Sequence, residues 1–387
     1  MNKLNSLLLA FWGLGLMGLS AQSNSYTLNG ETAPATQPQK FGVGVLPADS
    51  VKLGGLSFSP DGNELVYVVR EKGMFYMQKQ DGKWTAPSLI AASQQFKTHV
   101  MYPKFSPDGS FISFVDGNSK EFGFGDIYRI NRLEDGSWSD RIVKFPAPIN
   151  SAARDAGHSF TSDGTLYFSS GRADDTWSGN ILQASPNNAG SYDISVLEEL
   201  SIFSIETDEE CLYVAPQGEY LITDSWRSVN GHKIDLYITY KRSNGQWSEI
   251  KALNANINTE GLEHIPFVSS DHQYLFFVRD DHFYWVSTKE IFTPYQNLKI
   301  PDFYEKVDKE ISLKFSAETF MDFNGTITDY DLSILGQDSL PDWMSFNPAA
   351  LALKGIAKEA ETLCCVLLAT DNDGNQSQAE FKIIIAE

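Results

Sequence analysis

Three acids recur in register along the chain. Asp155, Glu209 and Glu263 are spaced 54 and 54 residues apart, and His158 and His264 stand close to two of them. Acids brought to one level could hold a cation or a basic ligand group. A pair about 5–9 Å apart could instead hydrolyse a glycosidic bond. The plainer reading is a set of strand-end acids on an already acidic protein. A second acidic group lies near the C-terminus, where Asp371 and Asp373 precede Gly374 and Asp322 could add a further carboxylate. Calcium takes six to eight oxygens, so these would form part of a site; the alternative is a solvated Asp/Asn/Gly turn. Histidine chemistry is not singled out: residues 99, 158, 232, 264, 272 and 282 contain no His-x-x-x-His pair. Three cysteines cannot build a disulfide framework or a multi-cysteine zinc site. Cys364 and Cys365 are adjacent on an apolar strand, so they should face opposite sides.

Positioning these groups is the work of a repeat. The turn Phe58-Ser59-Pro60-Asp61-Gly62 recurs as Phe105-Ser106-Pro107-Asp108-Gly109 and Phe160-Thr161-Ser162-Asp163-Gly164. It decays to Val214-Ala215-Pro216-Gln217-Gly218 and Val268-Ser269-Ser270-Asp271-His272. The aligned fourth positions are spaced 47, 55, 54 and 54. Pro presets φ, Asp bonds its own backbone and Gly accepts positive φ, so each copy is a hairpin turn. An apolar, β-branched or aromatic run follows every turn, as in Leu65–Val69 and Phe111–Val115. Asp-Gly or Asn-Gly turns with a following aromatic place glycines at 82, 136 and 245, with a weaker copy at 190. Asp126-Ile127-Tyr128, Asp235-Leu236-Tyr237 and His282-Phe283-Tyr284-Trp285 supply a further strand between them.

Four short strands at a period near 50, five times over, predict an all-β chain with a five-bladed β-propeller; six blades is the alternative. The first strand of each blade should line the channel. Asp155, Glu209 and Glu263 then form an arc at one channel mouth, where the first two units carry Leu53 and Val100. Phe41–Leu46 is predicted to supply the strand that closes the ring. Trp84, Trp138, Tyr192 and Trp247 recur on equivalent hairpins, to pack blade on blade or to stack on sugars.

The Ser-Pro-Asp-Gly turns and Asp-Ile-Tyr strands resemble the WD-like propeller repeat of TolB-type exported bacterial proteins, over residues 41–298. That resemblance implies a periplasmic or secreted protein that binds other proteins. Some related propellers gate peptidases, but Gly-x-Ser-x-Gly does not occur in this sequence. Residues 302–387 resemble the dystroglycan-type cadherin-like, or Ig-like, module. The anchors are Phe320–Gly325, Leu340-Pro341-Asp342-Trp343 and the Asp371–Asn375 loop before Phe381–Ile385. This implies a small β-sandwich with Trp343 and Phe346 in its core, and calcium as an implied cofactor.

The start of the chain supplies an address. Lys3 precedes an apolar run from Leu7 to Leu19, and Gly18, Ser20 and Ala21 stand at its exit, the pattern of a signal peptide over 1–21. Residues 22–40 read as a polar lead-in. The mature chain is expected to carry no transmembrane segment and to be periplasmic or extracellular. Fifty acids against 30 bases give a net charge of −20, which excludes a free-standing nucleic-acid binder. The expectation is an exported, non-enzymatic binding or scaffold protein whose partner is a protein, peptide or glycan. The alternative is a glycosidase-like envelope hydrolase.

Overall fold

A computed structural model describes residues 26–387, apart from 29, 48–50, 97–98, 117–124, 174–179, 198–199, 201–210 and 226–233. The chain is all-β. Five successive antiparallel sheets come first. Their innermost strands are Leu53–Phe58, Val100–Phe105, Asp155–Phe160, Leu212–Val214 and Glu263–Val268. Each pairs with the strand that follows it, and the order then runs outward. These five strands also touch one another in a cycle: first with second, second with third, third with fourth, fourth with fifth, and fifth with first. The arrangement is propeller-like.

The turn sequence builds this hub. In the first turn Ser59 Oγ donates to Asp61 Oδ1 at 2.5 Å, and the same oxygen accepts from the Asn63 amide at 3.0 Å. Asp108, Asp163 and Asp271 repeat the motif with Ser106, Thr161 and Ser269 at 2.6–2.7 Å. These bonds hold the Asp61, Asp108 and Asp163 carboxyls below the usual carboxylate range, against the desolvation that opposes them. The next residue is left-handed: Gly62, Gly109, Gly164 and Gly218 lie at φ 70–84°. In the fifth turn His272 takes that conformation at φ 57°, which a Cβ makes unfavourable. The strand after each turn is almost wholly buried, as in Leu65–Val69 at 2% exposure or less. Sheets pack through aromatics: Trp138 of the second meets Tyr76 of the first edge-on at 5.8 Å, and Trp247 of the fourth meets Tyr167 of the third at 5.9 Å.

The ring closes earlier in the chain than the hydrophobic pattern suggests. The outer strand of the fifth sheet is Gln39–Lys40, paired with Tyr284 and Trp285, rather than Phe41–Leu46. Phe41 continues the contact through its amide on the Phe283 carbonyl at 2.8 Å. The start of the described lead-in is anchored to the five sheets. Tyr26 and Leu28 are buried, and Trp84 Nε1 donates to the Thr27 carbonyl at 2.9 Å.

The C-terminal part forms two sheets around one apolar core. One has the order Phe303–Lys306, Gln376–Ala386, Glu361–Asp371, Ile327–Ile334; its first pair is parallel. The other joins Glu310–Lys314, Ala352–Ile356 and Met344–Asn347. Cys365 is buried and Cys364 exposed, as strand alternation requires. Trp343 and Phe346 pack on this core, and Trp343 donates to Glu361 Oε1 at 3.0 Å. The junction with the five sheets is aromatic. Tyr240 and Tyr295 stack at 4.4 Å, and Phe323 packs on Tyr220, Phe292 and His272 at 4.7–5.2 Å. Among the described residues no helix is long and apolar enough to cross a membrane.

Candidate functional site

The inner strands have two ends, and the two ends differ in chemistry. Asp155 and Glu263 stand at the starting end, at the same strand position in the third and fifth sheets. Both are fully buried, and both are held by the same kind of neighbours. Arg172 Nη2 lies 2.6 Å from Asp155 Oδ1, and Arg279 Nε lies 2.7 Å from Glu263 Oε1. Ser151 gives Asp155 both its amide and its hydroxyl, at 2.6 and 2.8 Å; Thr259 gives Glu263 the same pair at 3.2 and 2.6 Å. Each arginine reaches on to loop carbonyls, Pro148 and Ile149 for Arg172, and Asn256 and Ile257 for Arg279. These carboxylates are engaged by the chain's own donors and tie each inner strand to the loop before it. Glu209 lies outside the described residues.

The two histidines are buried to different depths. His158 is fully buried, with Nε2 2.7 Å from Ser113 Oγ and Nδ1 without a hydrogen-bond partner. Burial, helped by the Lys104 charge, lowers its pKa to about 3, so it is neutral at pH 7. His264 is partly buried. Desolvation, followed by the charge of Arg70, lowers its pKa to about 4.

The other end, where the turns gather, encloses a hollow of about 290 Å³ to which all five sheets contribute. Two levels of the repeat line it. The fourth residue before each aligned turn position gives Ser57, Lys104, Ser159, Tyr213 and Phe267; the next gives Phe58, Phe105, Phe160, Val214 and Val268. Five of these ten are aromatic. The rim is tied by hydrogen bonds between turns: Ser270 Oγ donates to the Pro60 carbonyl at 2.6 Å, and the Ser162 amide to the Pro216 carbonyl at 2.7 Å.

Lys104 is the unusual member. Its side chain is 3% exposed, and Nζ donates to the Pro266 carbonyl at 3.0 Å. The ammonium also lies 5.6 Å from the Phe267 ring and 5.9 Å from the Tyr213 ring, contacts of the cation–π kind. Burial pushes its pKa below the usual lysine value. The local backbone aims it. The inner strands of the first, second, third and fifth sheets each slip register within the three residues before this level, and Tyr102 and Ile265 adopt φ 57° there. Such bulges redirect the side chains that follow. The sequence did contain a signal for this site, since a lysine stands where the other copies carry Ser, Ser, Tyr and Phe. The register of the acids points instead to the opposite strand end.

A larger hollow of about 720 Å³ lies beside the first sheet, lined by Lys79, Lys83, Trp84 and the segment around Thr27 and Val45. One sheet and the chain's start form it, so it lacks the convergence of the central hollow.

In the C-terminal part Asp371 is buried and braces its own turn, accepting from the amides of Asp373 and Asn375 at 2.8 Å each and from Asn375 Nδ2 at 2.9 Å. Asp322 Oδ2 is buried without a partner, and its carboxyl is raised by desolvation and then by the charges of Asp371 and Asp373. A Cβ on Gly325 would lie 2.3 Å from that oxygen. Among the described residues no three His, Cys, Asp or Glu side chains form a group that could hold a metal ion.

Comparison with known proteins bears on the two parts differently. Residues 293–386 match the family model described as "Putative Ig domain" (He_PIG). The match begins before residue 302, which agrees with the pairing of Tyr295–Gln296 with Phe320–Met321. No curated protein matches the chain. Among solved structures it is similar to a gluconolactonase of Xanthomonas campestris, at 14% identity and a TM-score of 0.40, over 66% of this chain and 97% of that one. It is also similar to the WD40 repeats of RRP9, at 10% identity and a TM-score of 0.39, over 66% of this chain and 99% of that one. An Ig-like domain behind a propeller-like body is compatible with a binding or scaffold role.

Proposed function

We propose that the chain is an exported, non-enzymatic binding protein: a five-bladed propeller of the TolB-type repeat with an Ig-like sandwich behind it. Its partner, a protein, peptide or glycan, engages the face where the turns gather. The observation that carries this reading is the central hollow, built from equivalent positions of five sheets, with aromatic walls and a polar centre. Ligand sites of this kind are concave, mostly apolar and supplied with few polar groups. The glycosidase-like alternative is not favoured. It needs a carboxylate free to attack and another free to donate a proton, whereas Asp155 and Glu263 are paired with arginines.

Co-purification from the native envelope tests the reading, using the wild-type chain and Gln217→Trp, which places a bulky ring on the exposed rim. The partner should be lost with the variant, and a panel of glycans and peptides should show no turnover. Retention of the partner by the variant contradicts the assignment of this face.

Calcium in the C-terminal part is a separate proposal. Asp322, with its unpartnered oxygen, would lead the ligand set and exposed Asp373 would join it. The oxygens of Asp371 are engaged by its own turn, so carbonyls and water would complete the shell. Calorimetric titration of the full chain should show binding that Asp322→Asn abolishes; equal heats in both proteins reject the site.

A further inference from the structure

The Lys104 ammonium is buried with no carboxylate at ion-pair distance; Cys211 and then Asp224 act on it through charge alone. Among the described residues the ion pairs use Arg132, Lys144, Arg172, Arg279 and Lys358, and the hydrogen bond of Lys104 goes to a neutral carbonyl. An ammonium has three donors, so two remain for another acceptor. A buried charge without a paired counter-charge is costly, and an anionic occupant would offset that cost. The same neighbourhood holds a second unsatisfied group, the buried Nδ1 of neutral His158. The Tyr213 and Phe267 rings lie beside the ammonium, and Phe58, Phe105 and Phe160 line the same hollow, which suits a flat apolar body.

We propose that the central hollow takes a monoanionic carboxylate carried on an apolar or aromatic body, with the carboxylate on Lys104 Nζ and the body against the phenyl collar. This rests on the hollow being the binding site. Charge and size narrow the class. One ammonium matches one carboxylate through charge-assisted hydrogen bonds. A polyanion would meet the field of a chain with net charge −20. A volume of about 290 Å³ admits a small acid or the last residue of a peptide, not a folded surface. The shared chemistry has two sources, a free small acid and a C-terminal peptide carboxylate.

The test is calorimetric titration of the full chain with 4-phenylbutyrate and with the tripeptide Ala-Ala-Phe, each against its amide. The wild-type protein should bind at least one acid roughly tenfold more tightly than the matching amide. Lys104→Met should erase that preference, and Lys104→Arg should keep much of it. Thermal unfolding of each variant confirms that it is folded, and the Arg variant keeps the test decisive if Met does not fold. Selectivity for phenylbutyrate over the tripeptide identifies a small acid; the reverse identifies a chain terminus. Equal binding of acid and amide, preference that survives Lys104→Met, or no binding of either acid at millimolar concentration overturns the proposal. Should Gln217→Trp still abolish the native partner in that case, the face remains the binding site and the carboxylate assignment alone falls.

Discussion

Lys104 Nζ donates to the carbonyl oxygen of Pro266 at 3.0 Å, although their strands belong to the second and fifth sheets, which are not neighbours in the hub's cycle. The lysine therefore joins two sheets that are not adjacent in that cycle, next to the space a ligand would use. A buried ammonium satisfied by one carbonyl is a poor stabiliser. Lys104→Met should leave stability unchanged or raise it by about 1–3 kcal/mol, measured by denaturant unfolding near neutral pH. Because burial depresses this pKa, the folded wild type binds fewer protons than its unfolded chain, and its stability should rise as pH climbs toward 10.5. A Met variant that unfolds more easily would make the ammonium a structural clamp.

His158 predicts an acid-labile hub. Its pKa is about 3 when folded, against 6.5 for an imidazole free in water, so its contribution is whole above pH 6.5 and is lost as pH falls toward 3. The loss should approach roughly 5 kcal/mol at the acid end. His158→Gln should flatten that part of the stability curve. An unchanged curve would assign acid unfolding to other groups.

The paired acids at the starting end are structural in their partners. Removing one member leaves a buried charge, so Arg172→Gln or Arg279→Gln should cost about 3–5 kcal/mol. Replacing Asp155 and Arg172 together by apolar residues should recover much of it. Urea titration of the single and double variants checks this.

Phe323 predicts how the two parts are joined. Its ring touches Tyr220, Phe292 and His272, and His272 also lines the central hollow. Phe323→Ala should cost about 1–3 kcal/mol and make the segment near residue 300 more open to limited proteolysis. Proteolysis at the wild-type rate would mean that the Tyr240–Tyr295 stack suffices.

Gly355 predicts a local break in the C-terminal core. A Cβ there would stand 2.3 Å from the Trp343 carbonyl and 2.7 Å from its ring. Gly355→Ala should destabilise the protein by about 1–3 kcal/mol, seen as a lower melting temperature.

Much of the fold was legible because the turn chemistry is local. Ser59 and Asp61 are two residues apart, and the bond between them needs no partner from elsewhere. The same holds for the glycines at positive φ. The closing strand was not legible because Gln39 and Lys40 gain their pairing from Tyr284 and Trp285, and nothing in a polar dipeptide announces a partner that distant. The acids were visible through their register, but their arginines were not. Arg172 and Arg279 meet them only after the second strand folds back. Lys104 stood out in the repeat register, but its surroundings did not: its partner Pro266 lies 162 residues away, and a bulge decides where its side chain points.

Binding at the face where five turns meet is the claim on which the rest depends. A photo-crosslinking residue at Gln217 on that rim, compared with one at exposed Glu134 on an outer hairpin, tests it most directly in the native envelope. The predicted result is one adduct from Gln217 and none from Glu134, with the Gln217 adduct suppressed by excess unlabelled protein. An adduct from Glu134 with nothing at Gln217 would contradict it.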